Sequence, residues 1–368
     1  MRKITHVITG LGNGGAESML YKLLLETDYS KYEVNVISLT GNQYYKEKIE
    51  QLGVKVYLLN LKSSKFFFEI KKLISLCKEA DVIQSWMYHA NILSYVVAKL
   101  LKKKLAWGIH HSNLSKGKNK QTTILIAKLG ARLSPKVDKV ISCGEEVRDV
   151  HLKIGYDHKN HKVIFNGFDT EKFNVGLKRE YYKQFSELKA DDDVILHVGR
   201  WDPLKDYNNL LNGIKILKEK RENFKVFLVG NRLDNFNEDL ITLIETLNLT
   251  DDIVLLGQRD DIPQLMAGAN VFVLSSVGEG LPNVLGEAML SGTCCVTTNV
   301  GDCKAIVREY GEIVPSQNSK ELALAIEKVL NYSEELYKEK SHNGRLYVME
   351  NYDIRNVSNE YFKIYDEL

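Results

Sequence analysis

The sequence lacks the features that mark membrane-spanning, secreted or nucleic-acid-binding chains. No apolar run approaches the roughly 18 residues that a membrane span needs. The amino terminus enters a strand-like segment directly, without the apolar region of a signal peptide. Fifty Lys and Arg residues against 48 Asp and Glu leave a net charge of +2, so the chain carries no global nucleic-acid signature. We therefore predict a cytoplasmic protein.

Cysteines are few, at positions 77, 143, 294, 295 and 303. Their number is odd, their spacing matches no metal-binding motif, and most lie in apolar runs. This pattern predicts buried, reduced thiols and no metal site. The sequence also contains no low-complexity tract and no short repeat.

What is present is an alternation of strand-like and helix-like segments. The 368 residues are 44% hydrophobic and 27% charged, which predicts two globular domains. Apolar strands alternate with amphipathic helices, and this pattern restarts near residue 193 after a polar stretch at 167–190. The sequence therefore predicts an α/β fold of two Rossmann-like domains that face a central cleft. The domains are predicted at 1–170 and 171–350, with a final helix at 351–368 that packs back on the first domain.

A glycine-rich loop follows the first strand, in GLGNGGAES (10–18). It spells the GxGxxG of dinucleotide-binding folds, but the second strand lacks the acid that would hold the ribose. Asp28 precedes that strand and Glu33 lies at its amino end, so the required context fails and we exclude NAD. Gly14 and Gly15 could still bring backbone amides and the helix dipole to an anion. The alternative is a tight strand-to-helix turn without a ligand.

The strongest signal is SSVGEGLPNVLGEAMLS (275–291). Glu279 follows a strand end between glycines, Pro282 suits the first turn of a helix, and Glu287 lies inside that helix. Backbone amides at 281–285 would form another helix amino terminus that suits an anion. The two carboxylates could accept hydrogen bonds from vicinal hydroxyls of a sugar and a ribose. The alternative is a pair of solvated surface acids.

A pair of cations lies just after another strand. Arg200 and Lys205 occur in HVGRWDPLKDYNNLL (197–211), where both would overhang the same cleft. Arginine can hold a phosphate with two parallel hydrogen bonds, and lysine adds a point charge. The alternative is two surface cations on a loop.

Taken with their order and spacing, these motifs resemble the retaining glycosyltransferases of family 4, which have the GT-B fold. The resemblance covers essentially the whole chain. It rests on GGAE (14–17), FNGFD (165–169), GRWDPLKD (199–206) and the E-x7-E motif in EGLPNVLGEAM (279–289).

The resemblance implies that the carboxy-terminal domain binds a nucleotide sugar and the amino-terminal domain binds the acceptor. Arg200 and Lys205 would hold the diphosphate, Glu279 the transferred sugar and Glu287 the ribose. Arg259 would lie near the base. The implied donor site comprises Gly14, Gly15, Arg200, Lys205, Arg259, Glu279, Gly280, Leu281, Pro282, Asn283, Leu285 and Glu287.

The family also has a histidine near the sugar, after an amino-terminal-domain strand. His110 and His111 are both candidates, and counting from Gly108 favours His111. The implied catalytic residues are Glu279, His111, Arg200 and Lys205. His6 and His197 lie inside predicted strands and are expected in the core.

The resemblance implies retention without an enzyme nucleophile, because a donor phosphate oxygen takes the acceptor's proton. No cofactor and no metal are implied, only a nucleotide-sugar co-substrate, with UDP favoured over GDP. A D-x-D sequence at 191–193 opens a strand, at the end opposite the expected site. We interpret it as a solvated turn.

The acceptor candidates are Trp86, Tyr88, His89 and Asn91, which follow a strand end in SWMYHAN (85–91). Nearby, the stretch 63–72 mixes three phenylalanines with lysines, and the stretches 100–107 and 116–120 each add three more lysines. They suggest docking on an anionic inner leaflet and a lipid-linked saccharide as acceptor. The alternative is that Phe66, Phe67 and Phe68 are core residues and the lysines are merely solvated.

The predicted function is transfer of a hexose or N-acetylhexosamine to such an acceptor, in cell-surface polysaccharide or glycoconjugate synthesis. A nucleotide-sugar 2-epimerase of the same fold is one alternative. A non-catalytic partner that binds sugar nucleotides is another. No nucleic-acid partner is predicted.

Overall fold

The structure, a computed structural model, describes residues 1–41, 43–64, 66–110, 121–174, 179–186, 188–189 and 191–368. It contains two compact units. The first comprises Met1–Gly167 and Ile354–Leu368, and the second comprises Phe168–Asp353. Each unit has a parallel sheet covered by helices, so the α/β prediction of two Rossmann-like domains is confirmed.

The sheet of the first unit is entirely parallel over its described residues. In spatial order it runs β3-β2-β1-β4-β5-β6-β7. The order reverses between β1 and β4, which makes this the switch point of the sheet. The strands are β1 Arg2–Ile8, β2 Tyr32–Ser38, β3 Lys55–Leu58, β4 Val82–Trp86, β5 Lys104–Ile109, β6 Lys139–Ser142 and β7 His161–Val163.

Six described helices connect these strands. They are α1 Gly15–Leu25, α2 Lys46–Glu50, α3 Phe66–Cys77, α4 Tyr88–Leu101, α5 Gln121–Leu133 and α6 Glu145–Lys153. In α1 the apolar residues at 19, 20, 23 and 24 recur at helical spacing and are buried against the sheet. A 3-10 helix at Ser134–Lys136 leads into β6.

The second unit also has a parallel sheet over its described residues, with the order β10-β9-β8-β11-β12-β13. Its switch point lies between β8 and β11. The strands are β8 Asp193–Val198, β9 Phe224–Val229, β10 Ile253–Gly257, β11 Val271–Leu274, β12 Cys295–Thr298 and β13 Glu312–Val314.

The helices of the second unit are α7 Tyr207–Lys218, α8 Glu238–Thr246, α9 Ile262–Gly268, α10 Asn283–Leu290, α11 Cys303–Val307, α12 Ser319–Leu330 and α13 Glu334–Tyr352. Several of them begin at a side-chain cap. Asp206, Asn237, Asn318 and Ser333 each accept a hydrogen bond from an amide of the first turn.

The last helix, α14 Ile354–Glu367, belongs to the first unit. Tyr361 and Tyr365 are fully buried in the same core as β1 and α1. Tyr361 also stacks on Trp86, with ring centroids 5.9 Å apart.

Burial agrees with two further predictions. All five cysteine thiols are buried. His6 and His197 are core histidines, as their strand positions indicated. Among the described residues, no helix is both long enough and apolar enough to cross a membrane.

The D-x-D at 191–193 is only partly a solvated turn. Asp191 is exposed and accepts a hydrogen bond from Asn223 at 2.6 Å. Asp192 is buried, which corrects our interpretation, and accepts the Lys189 amide at 2.8 Å. Asp193 pairs with Arg221. Through these contacts the three acids stabilise the amino-terminal edge of the second sheet.

Candidate active site

The candidate site of the second unit lies at the switch point of its sheet. β8 and β11 are adjacent and parallel, so the loops that follow them leave the same edge. Loop 199–206 follows β8, and loop 275–282 follows β11. Ligands of open α/β sheets bind at this position, and the sequence-predicted residues Arg200, Lys205 and Glu279 are brought to it.

Glu279 is the centre of this site. Its Oε1 lies 2.6 Å from Lys205 Nζ and accepts a hydrogen bond from Ser276 Oγ, also at 2.6 Å. The side chains of Lys205 and Glu279 are only 16% and 14% exposed. Both bonds involve an ionised group, and such bonds are stronger than neutral ones. The carboxylate is therefore held in one orientation from two loops.

Backbone and side-chain bonds lock the Lys205 loop in place. Pro203–Lys205 forms a 3-10 helix whose cap, Asp202, accepts the Leu204 amide at 2.9 Å. Ser275 Oγ donates to the Lys205 carbonyl at 2.8 Å, and the Val277 amide donates to the Leu204 carbonyl at 2.8 Å. The loops after β8 and β11 are thus joined directly.

A histidine and a tyrosine support the same loop from the core. Tyr207 OH donates to the Arg200 carbonyl at 3.0 Å and lies 3.2 Å from His197 Nε2. His197 Nδ1 lies 2.9 Å from the Val273 carbonyl. Burial lowers the pKa of His197 to about 4. A neutral ring therefore joins β8, β11 and the loop.

The two cations at the site differ in environment. Arg200 is largely exposed, and its Nε lies 2.9 Å from Asp202 Oδ2, whereas Lys205 is enclosed by its pairing with Glu279. A diphosphate could engage the Arg200 side chain from solvent. It would have to compete with Glu279 for Lys205.

A third loop, after β12, packs against the backbone of Glu279 and Gly280. The sequence analysis did not identify it. Gly301 has a φ of +53°, and a Cβ there would lie 2.4 Å from the Glu279 carbonyl oxygen. The Asp302 amide donates to the Gly280 carbonyl at 2.9 Å. The position therefore requires glycine. The available signal was a glycine three residues after the end of β12, in NVGDC (299–303).

Helix α10 limits the hydrogen bonds that two of the predicted donor-site residues can offer a phosphate. Pro282 is its N-cap residue and has no N–H, so it offers no hydrogen bond to a phosphate. The Leu285 amide donates to the Pro282 carbonyl at 3.1 Å, which uses it within the first turn. Leu281 precedes the N-cap residue, and Asn283 is the first residue of the helix. Glu287 is its fifth residue and is half-buried.

Arg259 lies after β10, at the same edge of the sheet. Its guanidinium makes two bonds of 2.7 Å to the Asp261 carboxylate and lies 4.5 Å from the Phe185 ring centre. The hydrogen bonds to Asp261 raise the pKa of Arg259. The plane of the guanidinium is therefore oriented by two groups, the Asp261 carboxylate and the Phe185 ring.

Both halves of the chain match known glycosyltransferase families. Residues 13–172 match the model of Glycosyltransferase Family 4, and residues 178–347 match that of Glycosyl transferases group 1. The chain belongs to glycosyltransferase family 4.

Individual relatives cover most of this family 4 chain. The capsular polysaccharide biosynthesis glycosyltransferase CapH of Staphylococcus aureus is 23% identical over 309 residues, 82% of each chain. The UDP-Gal:alpha-D-GlcNAc-diphosphoundecaprenol alpha-1,3-galactosyltransferase of Escherichia coli is 24% identical over 290 residues, 76% of this chain and 74% of the relative. The crystal structure of Anabaena HepE with UDP and glucose superposes with a TM-score of 0.88 at 21% identity over the full length of both chains. The GT-B fold predicted for the chain is confirmed by this likeness.

In the amino-terminal unit of this glycosyltransferase, the glycine loop follows β1 at the other switch point. Gly14 is the N-cap residue of α1, and Gly15 is its first residue. The site of a Cβ on Gly14 lies 2.5 Å from Glu17 Oε2. Burial raises the pKa of the Glu17 carboxyl. A carboxylate of the chain itself therefore lies against the glycine loop.

Three of the four predicted acceptor residues are structural. Trp86 is fully buried, and its Nε1 donates to His6 Nδ1 at 3.1 Å. Tyr88 is buried with its OH 2.7 Å from His151 Nε2. Trp86 ends β4 and Tyr88 opens α4, and both side chains are packed in the core, so the structure does not support these two residues as acceptor contacts.

Asn91 is the third predicted acceptor residue that has a structural role. Its Oδ1 accepts a hydrogen bond from Ser85 Oγ at 2.7 Å, and its Nδ2 donates to the Gly108 carbonyl at 3.1 Å. Both functional atoms serve to join β4, α4 and β5. His89 alone of the four is exposed.

The histidine predicted near the sugar, His111, lies outside the described residues. Its neighbour His110 stacks on Trp86 with centroids 5.2 Å apart, and burial lowers its pKa to about 4. Met87, between β4 and α4, has a φ of +72°. Such strained residues cluster at functional sites, and nothing in the sequence marks Met87 as one.

The aromatic residues that open α3 are exposed. Phe66, Phe67 and Phe68 all face solvent, Phe67 with 81% of its surface accessible. The alternative that they are core residues is therefore wrong.

Proposed function

We propose that this family 4 enzyme transfers a hexose or N-acetylhexosamine, with retention and without a metal, from a UDP-sugar to a lipid-linked saccharide. The observation that carries the proposal is the Ser276–Glu279–Lys205 cluster at the switch point of the second sheet. It combines an enclosed cation with an oriented carboxylate, which suits a diphosphate and a sugar hydroxyl respectively.

The chemistry follows from an exchange of partners. A donor diphosphate takes Lys205 from Glu279, and the more exposed Arg200 adds a second cation. Together they stabilise the charge that develops on the departing diphosphate. Glu279, still held by Ser276, then accepts a hydrogen bond from the transferred sugar and orients it.

The remaining steps need no protein nucleophile. The acceptor hydroxyl approaches from the face that the diphosphate leaves, and its proton passes to a phosphate oxygen of the departing UDP. The new C–O bond therefore forms on the same face as the broken one. The resemblance also assigns Gly14 and Gly15 to the diphosphate and His111 to the sugar. Leu281, Asn283 and Gly280 would border the phosphates, while Glu287 would accept the ribose hydroxyls and Arg259 would lie beside the base.

The relatives support the substrate classes. The Escherichia coli relative is named for UDP-Gal and a diphosphoundecaprenol-linked sugar, the Staphylococcus aureus relative for capsular polysaccharide biosynthesis, and HepE was crystallised with UDP and glucose. By this likeness we assign the enzyme to cell-surface polysaccharide or glycoconjugate synthesis. We place it in the cytoplasm, at the cytoplasmic membrane face, where the exposed Phe66, Phe67 and Phe68 would enter the bilayer interface.

A donor screen followed by product analysis tests the proposal. UDP- and GDP-linked hexoses and N-acetylhexosamines are compared by thermal shift, because a bound donor raises stability by mass action. The donors that bind are then incubated, with and without EDTA, with a diphospholipid-linked monosaccharide. We expect a UDP-sugar to give an EDTA-insensitive product with the anomeric configuration of the donor. An inverted product would overturn retention.

The same reaction separates the two alternatives. An epimerase would change the configuration of the donor sugar at C2 without transferring it to the lipid, and a non-catalytic partner would bind UDP without turnover. Glu279→Ala should abolish transfer while UDP binding survives. Lys215→Ala, an exposed lysine on α7, serves as the control and should keep full activity.

A further inference from the structure

The first unit contains a cavity of about 400 Å³ that has no part in the site described above. Lys99, Lys102, Lys103 and Lys136 line it, together with Tyr95. Four lysines in the lining of one depression favour a ligand with at least one full negative charge.

The cavity lies far from the carboxyl ends of the strands. Its walls are the end of α4, the start of β5 and the 3-10 helix Ser134–Lys136, all at the amino-terminal edge of the sheet. The 14 residues of α4 rise about 21 Å from one edge to the other. The cavity is therefore separate from the glycine loop after β1 and from the predicted acceptor residue His89.

The positive charge around the cavity is hardly compensated. Asp138, the acid in its lining, already accepts Lys104 Nζ at 3.1 Å and the Leu105 amide at 3.0 Å. Residues 82–137 contain nine lysines and Arg132 but no Asp or Glu, although the whole chain has almost equal numbers of cations and acids. This concentration of one sign points to an anionic partner.

The helices beside the cavity also expose apolar side chains. On α4, Val96 and Leu100 are four residues apart and exposed, next to the stripe that lines the cavity. On the neighbouring α5, Leu125 and Leu129 form a second exposed pair. Phosphate alone would not require these residues, whereas cations beside exposed apolar side chains are typical of proteins that lie in the interface of an anionic bilayer.

We propose that this cavity binds the phosphate of an anionic phospholipid head group, while Val96, Leu100, Leu125 and Leu129 enter the interface of the same bilayer. The inference rests on the proposed membrane association and adds the outer face of α4 and α5 to the contact surface proposed for α3. Two independent features carry it, the lysine-lined cavity and the apolar pairs. Both must contribute to binding if the proposal is correct.

Vesicle co-sedimentation tests the cavity. Wild-type protein is titrated with vesicles of phosphatidylcholine alone and with vesicles containing phosphatidylglycerol. The variant Lys99→Ala/Lys102→Ala is compared with the control Lys215→Ala/Lys320→Ala, which removes the same charge from exposed positions of the second unit. We expect the first variant to bind phosphatidylglycerol vesicles about tenfold to thirtyfold more weakly, and the control to bind like wild type.

A charge-preserving variant tests the apolar pairs. Leu100→Ser/Leu129→Ser keeps every lysine, and both side chains are exposed, so the fold should survive; circular dichroism checks this. We expect at least a fivefold loss of vesicle affinity. Unchanged affinity would show that the surface only attracts anions and would overturn the docking.

Competition distinguishes a lipid head group from free phosphate. Inorganic phosphate and glycerol phosphate are added to the vesicles at constant ionic strength. If inorganic phosphate and glycerol phosphate displace the protein from the vesicles only weakly, the head-group assignment is supported. If instead Lys99→Ala/Lys102→Ala loses a phosphate-dependent thermal shift but sediments like wild type, the cavity is a site for soluble phosphate and the lipid assignment is wrong.

Failure of this inference can be told apart from failure of the proposed function. Transfer to a short-chain, water-soluble acceptor needs no vesicle, and all these variants should retain it. If wild type transfers sugar but binds no vesicles, the proposed membrane association is wrong and the transferase assignment is unaffected. If wild type binds vesicles and Lys99→Ala/Lys102→Ala binds them equally well, only the assignment of the cavity is wrong.

Discussion

Lys205 Nζ and Glu279 Oε1 lie 2.6 Å apart although 74 residues separate them along the chain. The pair forms because β8 and β11 are neighbours at the centre of the second sheet. In the proposed reaction it is a resting arrangement, since the donor diphosphate must displace the carboxylate before Lys205 can act.

This competition predicts opposite effects on binding and catalysis. Glu279→Gln removes the negative partner of Lys205 but keeps the shape of the side chain. We expect UDP to bind at least as tightly as to wild type, and transfer to fall about a hundredfold because the sugar loses a charged acceptor. Calorimetry with UDP and the transfer assay measure the two effects. A tenfold loss of UDP affinity would contradict the exchange of partners.

Lys205→Ala, unlike Glu279→Gln, should weaken UDP binding as well as transfer. The variant loses a cation that meets the diphosphate more strongly as charge develops, so transfer should fall by about 10² to 10³, and UDP affinity should fall with it. Lys215→Ala is the matched control. Full transfer by Lys205→Ala would remove the lysine from the proposed site.

Ser276 is predicted to act as a positioning residue through Glu279. Ser276→Ala removes one bond to the carboxylate and should lower kcat about tenfold, as expected for a hydrogen bond to a charged group. The KM for the donor should change little, because Lys205 stays in place. Ser75→Ala, on the exposed surface of α3, provides the comparison. An effect confined to KM would argue for direct donor contact instead.

Gly301 should tolerate no side chain. Gly301→Ala places a Cβ against the Glu279 carbonyl in a backbone conformation that disfavours alanine, so we expect a loss of about 1–3 kcal/mol in the free energy of unfolding. Because the strain falls on the loop of Glu279, transfer should also fall. Gly41→Ala, which meets no atom within 4 Å, should be neutral. Urea denaturation of both variants decides the point.

Buried histidines predict a loss of stability in mild acid. Burial lowers the pKa of His6 to about 3, from an ordinary value of 6.5, and its Nδ1 accepts a hydrogen bond from Trp86, which a protonated ring could not do. The unfolded chain therefore binds the proton first as pH falls below 6.5. Stability should decrease from there toward pH 3, by up to about 1.4 kcal/mol per pH unit for this residue.

The variant His6→Gln should reduce that slope, because glutamine offers an acceptor to Trp86 but takes no proton. His342→Gln, an exposed position on α13, should leave the slope unchanged. Urea unfolding between pH 4 and 7 measures it. Equal slopes for wild type and His6→Gln would show that His6 titrates normally in the folded protein.

Apolar runs in the sequence mark most strands of the two sheets, and the two strands without such a run share a cause. β7 and β13 are three-residue edge strands whose segments carry no long apolar run. Edge strands are half-exposed, so burial places little constraint on their composition. The central strands are covered on both faces, and their continuous apolar runs were visible without a structure.

The acceptor prediction failed for a different reason. Trp86, Tyr88 and Asn91 were chosen because they follow a strand end, but position along the chain does not decide which way a side chain points. Trp86 contacts His6 across 80 residues, and such a partner is set by the pairing of β1 with β4. The exposed Phe66, Phe67 and Phe68 illustrate the converse, since apolar character alone did not show that they face solvent.

By itself, the sequence determined the fold class and the residues with the right chemistry, because hydrophobic periodicity and the placement of glycines, acids and cations after strands are local properties. Tertiary structure decided which of them meet. Strand order in a parallel sheet is not sequential, so only the adjacency of β8 and β11 brings Lys205 to Glu279. Likewise, only the packing of α4 against α5 places Leu125 and Leu129 beside the lysines and the exposed apolar pair of α4.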